Sequence, residues 1–241
     1  MFSAKPKAVM AWSGGKDSSL ALHRVLSKGD FEVSALLTTL SSEFRRISMH
    51  GVREELLEQQ AQALAIPLVK MEVLERTNIA YEKELERHLR EFKAQGVEAV
   101  IFGDIHLADL RVYRETILDR VGLKGIFPLW QESPQALLTE FFAKGFRSVT
   151  CCVDAQRLGE EHVGRVLDAA FVQSLPSGVD VCGENGEYHS YCFDGPIFQQ
   201  PVAYALGEKQ FRPLVLNPAN VGCDLPASTT PGFWYCDLLA A

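Results

Sequence analysis

Ala8-Val9-Met10-Ala11-Trp12-Ser13-Gly14-Gly15-Lys16-Asp17-Ser18-Ser19 is the stretch on which the reading of this chain turns. An apolar run leads into two glycines, and an apolar-periodic segment follows from Ser18 to Leu26. That order reads as strand, tight turn and helix start. Such a turn gathers backbone N–H groups at a helix N-terminus, where the partial positive charge favours an anion. Gly14 and Gly15 let the main chain approach that anion closely. Ser13, Ser18 and Ser19 add hydroxyls, and Lys16 adds a mobile positive charge. Two familiar phosphate cradles are excluded. A P-loop needs Ser or Thr after Gly-Lys, and here Asp17 follows, with Met10 where the earlier glycine belongs. The dinucleotide fingerprint lacks its third glycine.

Outward from this loop, apolar runs alternate with amphipathic segments as far as about Leu175. Phe31 to Leu40, Leu68 to Val73, Val97 to Phe102 and Ser148 to Val153 read as further strands. Helical stripes run through Val52, Leu56, Leu57, Ala61 and Leu64, ended by Pro67, and through Ile79, Leu85, Leu89 and Phe92 between Asn78 and Gln95. Further helices are expected near Asp109–Val121 and Pro134–Lys144. The alternation predicts a parallel sheet covered on both faces, with right-handed crossovers. Glu160 to Leu175 reads as a last long helix. Seven of the 11 prolines lie beyond Leu175, and the remainder reads as short strands and loops. The expected division is residues 1–158 and a smaller, substrate-facing portion over 159–241.

Composition narrows the function classes. With 241 residues, 47% hydrophobic and 23% charged, the chain has ordinary globular character and can bury a sizeable core. The net charge of −7 argues against non-specific binding to a nucleic-acid backbone. No apolar run reaches the length of a membrane span, and residues 1–7 lack the core of a secretory signal, so a cytoplasmic protein is expected. The six cysteines form no Cys-x-x-Cys pair and read as thiols.

In open parallel sheets, ligands sit beyond the carboxyl ends of the strands. That rule selects Thr38-Thr39-Leu40, Gly103-Asp104-Ile105-His106 and Cys151-Cys152-Val153-Asp154 beside the glycine loop. Asp104 reads as a Mg²⁺ or substrate contact, against a competing reading as a turn residue. Arg111 and Arg114 suit phosphate or carboxylate, although Arg111 and Glu115 also have the spacing of a surface ion pair. His50 reads as a phosphate contact or an acid, or as an ordinary loop histidine. In Cys182-Gly183-Glu184-Asn185-Gly186-Glu187-Tyr188-His189, Asn185-Gly186 predicts a two-residue hairpin turn. Glu184 and Glu187 would then face each other as like charges, an arrangement that calls for a cation between them. A zinc site from Cys182, His189, Cys192 and Cys223 matches no standard spacing.

Ser13-Gly14-Gly15-Lys16-Asp17-Ser18 resembles the signature of the PP-loop ATP pyrophosphatases. Several further segments together resemble the diphthine–ammonia ligase family of these enzymes. They are His50-Gly51-Val52-Arg53, Gly103-Asp104-Ile105 with Asp109 and Arg111, Phe127-Pro128-Leu129-Trp130, Cys152-Val153-Asp154, Gly183 to His189, and Asp194-Gly195-Pro196. The form of the 182–189 stretch is closer to bacterial members. The resemblance implies a HUP-type, Rossmann-like α/β fold: a parallel sheet with helices on both faces, plus a smaller C-terminal mixed α/β portion. It implies ATP and Mg²⁺ as cofactors, and an AMP-forming ligase joining ammonia to an acceptor carboxylate. ATP would be held by Ser13, Gly14, Gly15, Lys16, Asp17, Ser18, Thr38, His50, Gly103 and Asp104, with Mg²⁺ on Asp17 and Asp104. Lys16, Asp17, Glu184 and Glu187 would be catalytic, the glutamates by capturing ammonium or by deprotonating it. The acceptor would meet Arg111, Glu184, Asn185, Gly186, Glu187 and His189. That acceptor is a protein residue or a small molecule such as a cobalamin-salvage intermediate, and a homodimer is compatible with the sequence. Two other readings compete: a PP-loop enzyme activating an RNA base, and a nucleotide sensor that leaves ATP intact.

Overall fold

A computed structural model describes residues 4–41, 45–47, 50–73, 77–214 and 231–241. Strand β1 (Lys7–Ala11) is the centre of the first sheet. It pairs in parallel with β2 (Glu32–Ser41) on one side and β5 (Val97–Ile101) on the other. Beyond these lie β4 (Leu68–Val73) against β2 and β6 (Lys124–Ile126) against β5, both parallel. The short β3 (Arg46–Ile47) adds an antiparallel pair at the end of β2. Alternation along β1 shows why the run is apolar throughout. Ala8 and Met10 enter the core beneath α1 (Lys16–Lys28) and α2 (Glu54–Leu64), and Val9 enters the core beneath α3 (Asn78–Ala94) and α4 (Ala108–Val121). All three are fully buried. Each large aliphatic side chain so placed contributes about 1.5–3 kcal/mol.

Local signals end and start the helices. Gly29, at φ 71°, closes α1. Thr77 caps α3 by accepting from Ala80 N at 3.2 Å. Ser133 caps α5 (Pro134–Ala143), whose first residue is the proline.

The second sheet is antiparallel, in the order β8 (Tyr188–Asp194), β7 (Arg147–Asp154), β10 (Gly232–Ala240), β9 (Tyr204–Pro213). Two expectations change here. β7 was expected as the fifth strand of the parallel sheet, but its partners are β8 and β10, so Cys151 to Asp154 do not end a parallel strand. The long helix expected over Glu160–Leu175 is also absent. Residues 160–162 form a 3₁₀ turn, and only Ala169–Ser174 is α-helical, as α6. Between them Gly164 N donates to Thr150 O (2.8 Å), Thr150 N to Arg165 O (2.9 Å) and Leu167 N to Ser148 O (2.8 Å). The segment spends its backbone groups on β7, and Gly164 at φ 77° makes the turn. β6 escaped the sequence reading because Lys124 and Gly125 interrupt a three-residue strand.

The two sheets share one core: Val149, Tyr191 and Phe193 of the second belong to the same cluster as Ala8 and Met10 of β1 and Leu20, Leu56 and Leu57 of the helices that cover the first. Ionic contacts add to it. Asp237 on β10 accepts from Arg46 Nη1 (2.7 Å) and from Arg53 Nε and Nη2 (3.0 and 2.6 Å). The two arginines bracket the loop before α2. Hydrogen bonds from Arg53, then Arg46, outweigh burial and hold the Asp237 carboxyl well below its ordinary value. A depressed carboxylate pKa stabilises the fold above the unfolded value, about 3.9, and that stability is lost as pH falls through the folded value. Urea midpoints measured across the acid range should therefore drop below about pH 4. Asp237→Asn should lower the midpoint at neutral pH and flatten that acid limb.

Candidate active site

β1 hydrogen-bonds to β2 on one side and β5 on the other, and the chain leaves it in opposite directions. This is the switch point at which open α/β sheets bind ligands. The loop after β1 turns through Gly14 (φ 74°), and Gly15 is the N-cap of α1 in extended conformation, with no side-chain cap. A side-chain carbon on Gly14 would lie 2.7 Å from Gln60 Oε1, and one on Gly15 would lie 2.9 Å from Ser190 O. Both positions are closed to any larger residue. Gln60, fully buried on α2, explains the loop's shape. Its amide donates to Gly14 O (3.0 Å) and Cys192 O (2.6 Å), and its carbonyl accepts from Trp12 Nε1 (3.0 Å). Cys192 N, on β8, also donates to Gly14 O at 2.8 Å. Ser190 Oγ accepts from Lys16 N at 3.2 Å. The second sheet therefore holds the loop in place.

Lys16 is 4% exposed. Its ammonium bonds Asp17 Oδ2 at 2.7 Å and the Cys182 carbonyl, and lies 5.1 Å from the centre of the Tyr188 ring. Burial alone would lower its pKa, but the Asp17 carboxylate overrides that and keeps the group protonated. Across the cleft, Gly103 follows β5 and passes close against the start of α1: a side-chain carbon there would lie 2.9 Å from Asp17 C and Ser18 N. Asp104 follows and pairs with Arg114, Oδ2 to Nε at 2.6 Å and Oδ1 to Nη2 at 3.0 Å.

The 182–189 stretch is not the expected hairpin. β8 begins at Tyr188, and the residues before it form a compact turn with Gly186 at φ 85°. Glu184 and Glu187 do not oppose each other. Glu187 is buried and accepts from Asp180 N (3.0 Å), Asn185 N (3.0 Å) and Asn185 Nδ2 (3.1 Å). Burial would raise its pKa, but these donors hold it below the ordinary value. Glu184 points across the cleft, accepting from Ile105 N (2.8 Å) and His106 N (3.3 Å), and burial with the nearby Asp17 charge raises its pKa. No cation site lies between the two carboxylates, because each faces its own backbone donors.

One cleft is lined by Ser13, Gly15, Lys16, Asp17 and Ser18 from the loop and α1, by Gly103 and Asp104 after β5, and by His50, Glu184 and His189. The remaining expected residues lie outside that lining. Gly14 supports the loop from behind. Thr38 is buried on β2. Asn185, Gly186 and Glu187 build the turn. Arg111 is sandwiched 4.6 Å from both the Phe127 and Trp130 rings and bonded to Glu115 (2.9 Å). Its neighbour Arg114 lines the cleft in its place, one helical turn further on. Tyr188, Ser190, Leu107 and Leu110 complete the wall.

Among the described residues no group of three or more His, Cys, Asp or Glu is placed to hold a metal; Cys223 lies outside them. Asp17 and Asp104 offer two hard carboxylate oxygens to one cleft. That donor set fits Mg²⁺ arriving with nucleotide phosphates, since Mg²⁺ is usually bound by one or two carboxylates plus substrate oxygens. No helix among the described residues is long and apolar enough to cross a membrane.

A glycine turn into a helix N-terminus, with a buried lysine at the switch point of a parallel sheet, defines a PP-loop type of nucleotide site. Comparison narrows this further. The model of the diphthamide synthase N-terminal domain matches residues 6–125, and that of the C-terminal domain matches residues 133–213. The chain belongs to this family of ATP-dependent carbon–nitrogen ligases. The diphthine–ammonia ligase of Rattus norvegicus is 27% identical over 221 residues, 81% of this chain and 82% of the relative. That of Homo sapiens is 27% identical over 215 residues, 79% of each chain. Among solved structures, the U34-tRNA thiolase NcsA from Methanococcus maripaludis aligns with a TM-score of 0.36 at 20% identity, over 57% of this chain and 56% of that one.

Gln60→Ala should cost about 2 kcal/mol or more, because it leaves the buried Trp12 N–H and Cys192 carbonyl without this partner. Urea unfolding measures the loss. The loosened loop should also raise the KM for ATP more than it lowers kcat.

Proposed function

We propose that this chain forms an amide in two steps, joining ammonia to an acceptor carboxylate at the expense of ATP. An oxygen of the acceptor carboxylate attacks the α-phosphorus. The bond to the β-phosphate oxygen breaks and its electron pair leaves with pyrophosphate. Ammonia's lone pair then forms the C–N bond while the acyl–oxygen bond to AMP breaks and the nitrogen sheds a proton. Diphthine, the acceptor in the relatives' name, is the acceptor class that family membership favours.

The observation that supports this most is the buried Lys16 at the N-terminus of α1, at the switch point. Lys16 and the positive end of α1 are fixed sources of positive potential for the charge that builds on departing pyrophosphate. Their orientation is set beforehand by Ser190, Gln60 and Cys192, so little reorganisation accompanies the reaction. Arg114 neutralises Asp104 in the resting site and is held 4.4 Å from the Phe102 ring at the edge of the cleft. Mg²⁺ held by Asp17 and Asp104 would supply Lewis-acid polarisation of the phosphates.

The two glutamates take different roles. Glu184 faces the cleft with a raised pKa and suits the amine side of the reaction. Glu187 holds the turn that presents Glu184 and the Cys182 carbonyl.

Exchange of labelled pyrophosphate into ATP, with acceptor and without ammonia, measures the first step. Lys16→Ala should lower it about 100-fold or more. Formation of ADP and phosphate in place of AMP and pyrophosphate would refute the reaction. The glutamates separate by a second comparison. Glu184→Gln should reduce kcat of amide formation at unchanged melting temperature. Glu187→Gln should lower the melting temperature and leave turnover per folded molecule near wild type.

A further inference from the structure

His50 and His189 stack against each other beside the glycine loop. Their ring centroids are 4.4 Å apart and their planes 24° apart. Both line the cleft. A side-chain carbon placed on Gly15 would lie 3.7 Å from His50 Cε1, which puts the ring at the anion-facing end of α1. His189 is followed by Ser190, whose hydroxyl takes the first N–H of that helix. His50 Nδ1 and His189 Nε2 are both buried without a hydrogen-bond partner. The other cleft-lining titratable groups named above are already engaged: Asp17 by Lys16, Asp104 by Arg114, and Glu184 by two backbone N–H groups. A buried polar atom without a partner costs free energy that a ligand contact can recover.

We propose that the stacked pair is a proton-linked arm of the phosphate site: it takes up one proton when the triphosphate enters and presents the resulting N–H to a phosphate oxygen. The proton is then in place for the next event. As the bond from the α-phosphorus to its bridging oxygen breaks, that oxygen receives the electron pair, and the imidazolium supplies the proton and returns to neutral. This rests on the ATP chemistry above and adds an acid to it.

The charges around the pair set the direction. α1 presents Lys16 and Asp17. β8 presents Tyr188 and the other imidazole. The turn before β8 presents Glu184. Cys152 on β7 is the register partner of His189, and Tyr235 on β10 packs at Gly51 beside His50. Without nucleotide, burial and Lys16 hold His189 down to about 4, and burial, His189 and Lys16 hold His50 well below its ordinary value. The pair is then neutral. A triphosphate beside Lys16 reverses the sign of the local field, and an imidazole is the side chain whose protonation responds near neutral pH. A ligand that binds the protonated form better must bind more weakly as pH rises.

Titration calorimetry of ATP into the protein, in buffers of different ionisation enthalpy, tests this without any acceptor. Wild type should take up roughly one proton more than His189→Asn or His50→Asn. Its Kd for ATP should rise between about pH 6 and pH 8, and either variant should flatten that rise. Nitrogen NMR of histidine-labelled wild type gives a readout that needs no substitution. Addition of ATP should convert one of the two stacked rings to the imidazolium form. ATP binding with the same proton count in all three proteins, and no new imidazolium signal, would overturn the proposal. Failure of wild type to bind ATP at all would instead bring down the nucleotide reading on which it rests.

Discussion

The Gly14 carbonyl receives two hydrogen bonds, one from the Gln60 side chain on α2 and one from the Cys192 N–H on β8. The site depends on that point. A glycine turn has no side chain to lock it, and glycine loses more conformational freedom on folding than any other residue. Here the lock comes from outside the loop, from an element 46 residues away in sequence and a strand in the other sheet. Three consequences share this origin. The second sheet must dock on α1 and α2, the loop has one shape before any ligand arrives, and Ser190 and His189 are delivered to the cleft by the same strand that fixes Gly14. The shared core of the two sheets is thus part of how the anion site is built.

The electrostatics of the cleft follow from preorganisation. Lys16 and Arg114 are cations held against carboxylates, Asp17 and Asp104, and both pairs are largely withdrawn from water. Buried pairs of this kind contribute little net stability, because desolvation offsets attraction. Their value lies in position. An incoming polyanion meets cations already partly withdrawn from water and held in place.

What the sequence disclosed and what it hid divide by distance along the chain. β1, β2, β4 and β5, and α1 to α5, were legible because apolar period is local. The glycine loop was legible for the same reason. Strand partnership is not local. β7 has the apolar run of a buried strand, and nothing in Ser148–Val153 says whether its neighbours are parallel or antiparallel. The helix expected from Glu160 failed because Thr150, ten residues upstream, competes for the backbone of residues 164 and 165. Gln60 stands four residues from both Leu56 and Leu64, so its spacing places it on the buried stripe, but its polar side chain gives no apolar signal and its partners, Trp12, Gly14 and Cys192, are far away in sequence. Arg111 and Arg114 were both visible as candidates, but which of two arginines three apart faces Asp104 was not.

The contrast between Glu184 and Glu187 shows how an apparent pair can conceal two unrelated tasks. Spaced three apart around Asn-Gly, they suggested opposed carboxylates awaiting a cation. The turn resolves the repulsion differently, by giving each carboxylate its own set of backbone N–H donors on opposite sides of the chain. A carboxylate surrounded by three donors becomes a weaker base, and one that is buried beside another negative charge becomes a stronger one. The stretch thus produces one structural anchor and one group with an elevated pKa from identical side chains. With Glu187 spent on the turn and Asp17 and Asp104 spent on cations, proton traffic at the phosphates falls to the nitrogen atoms the fold leaves without partners, those of His50 and His189.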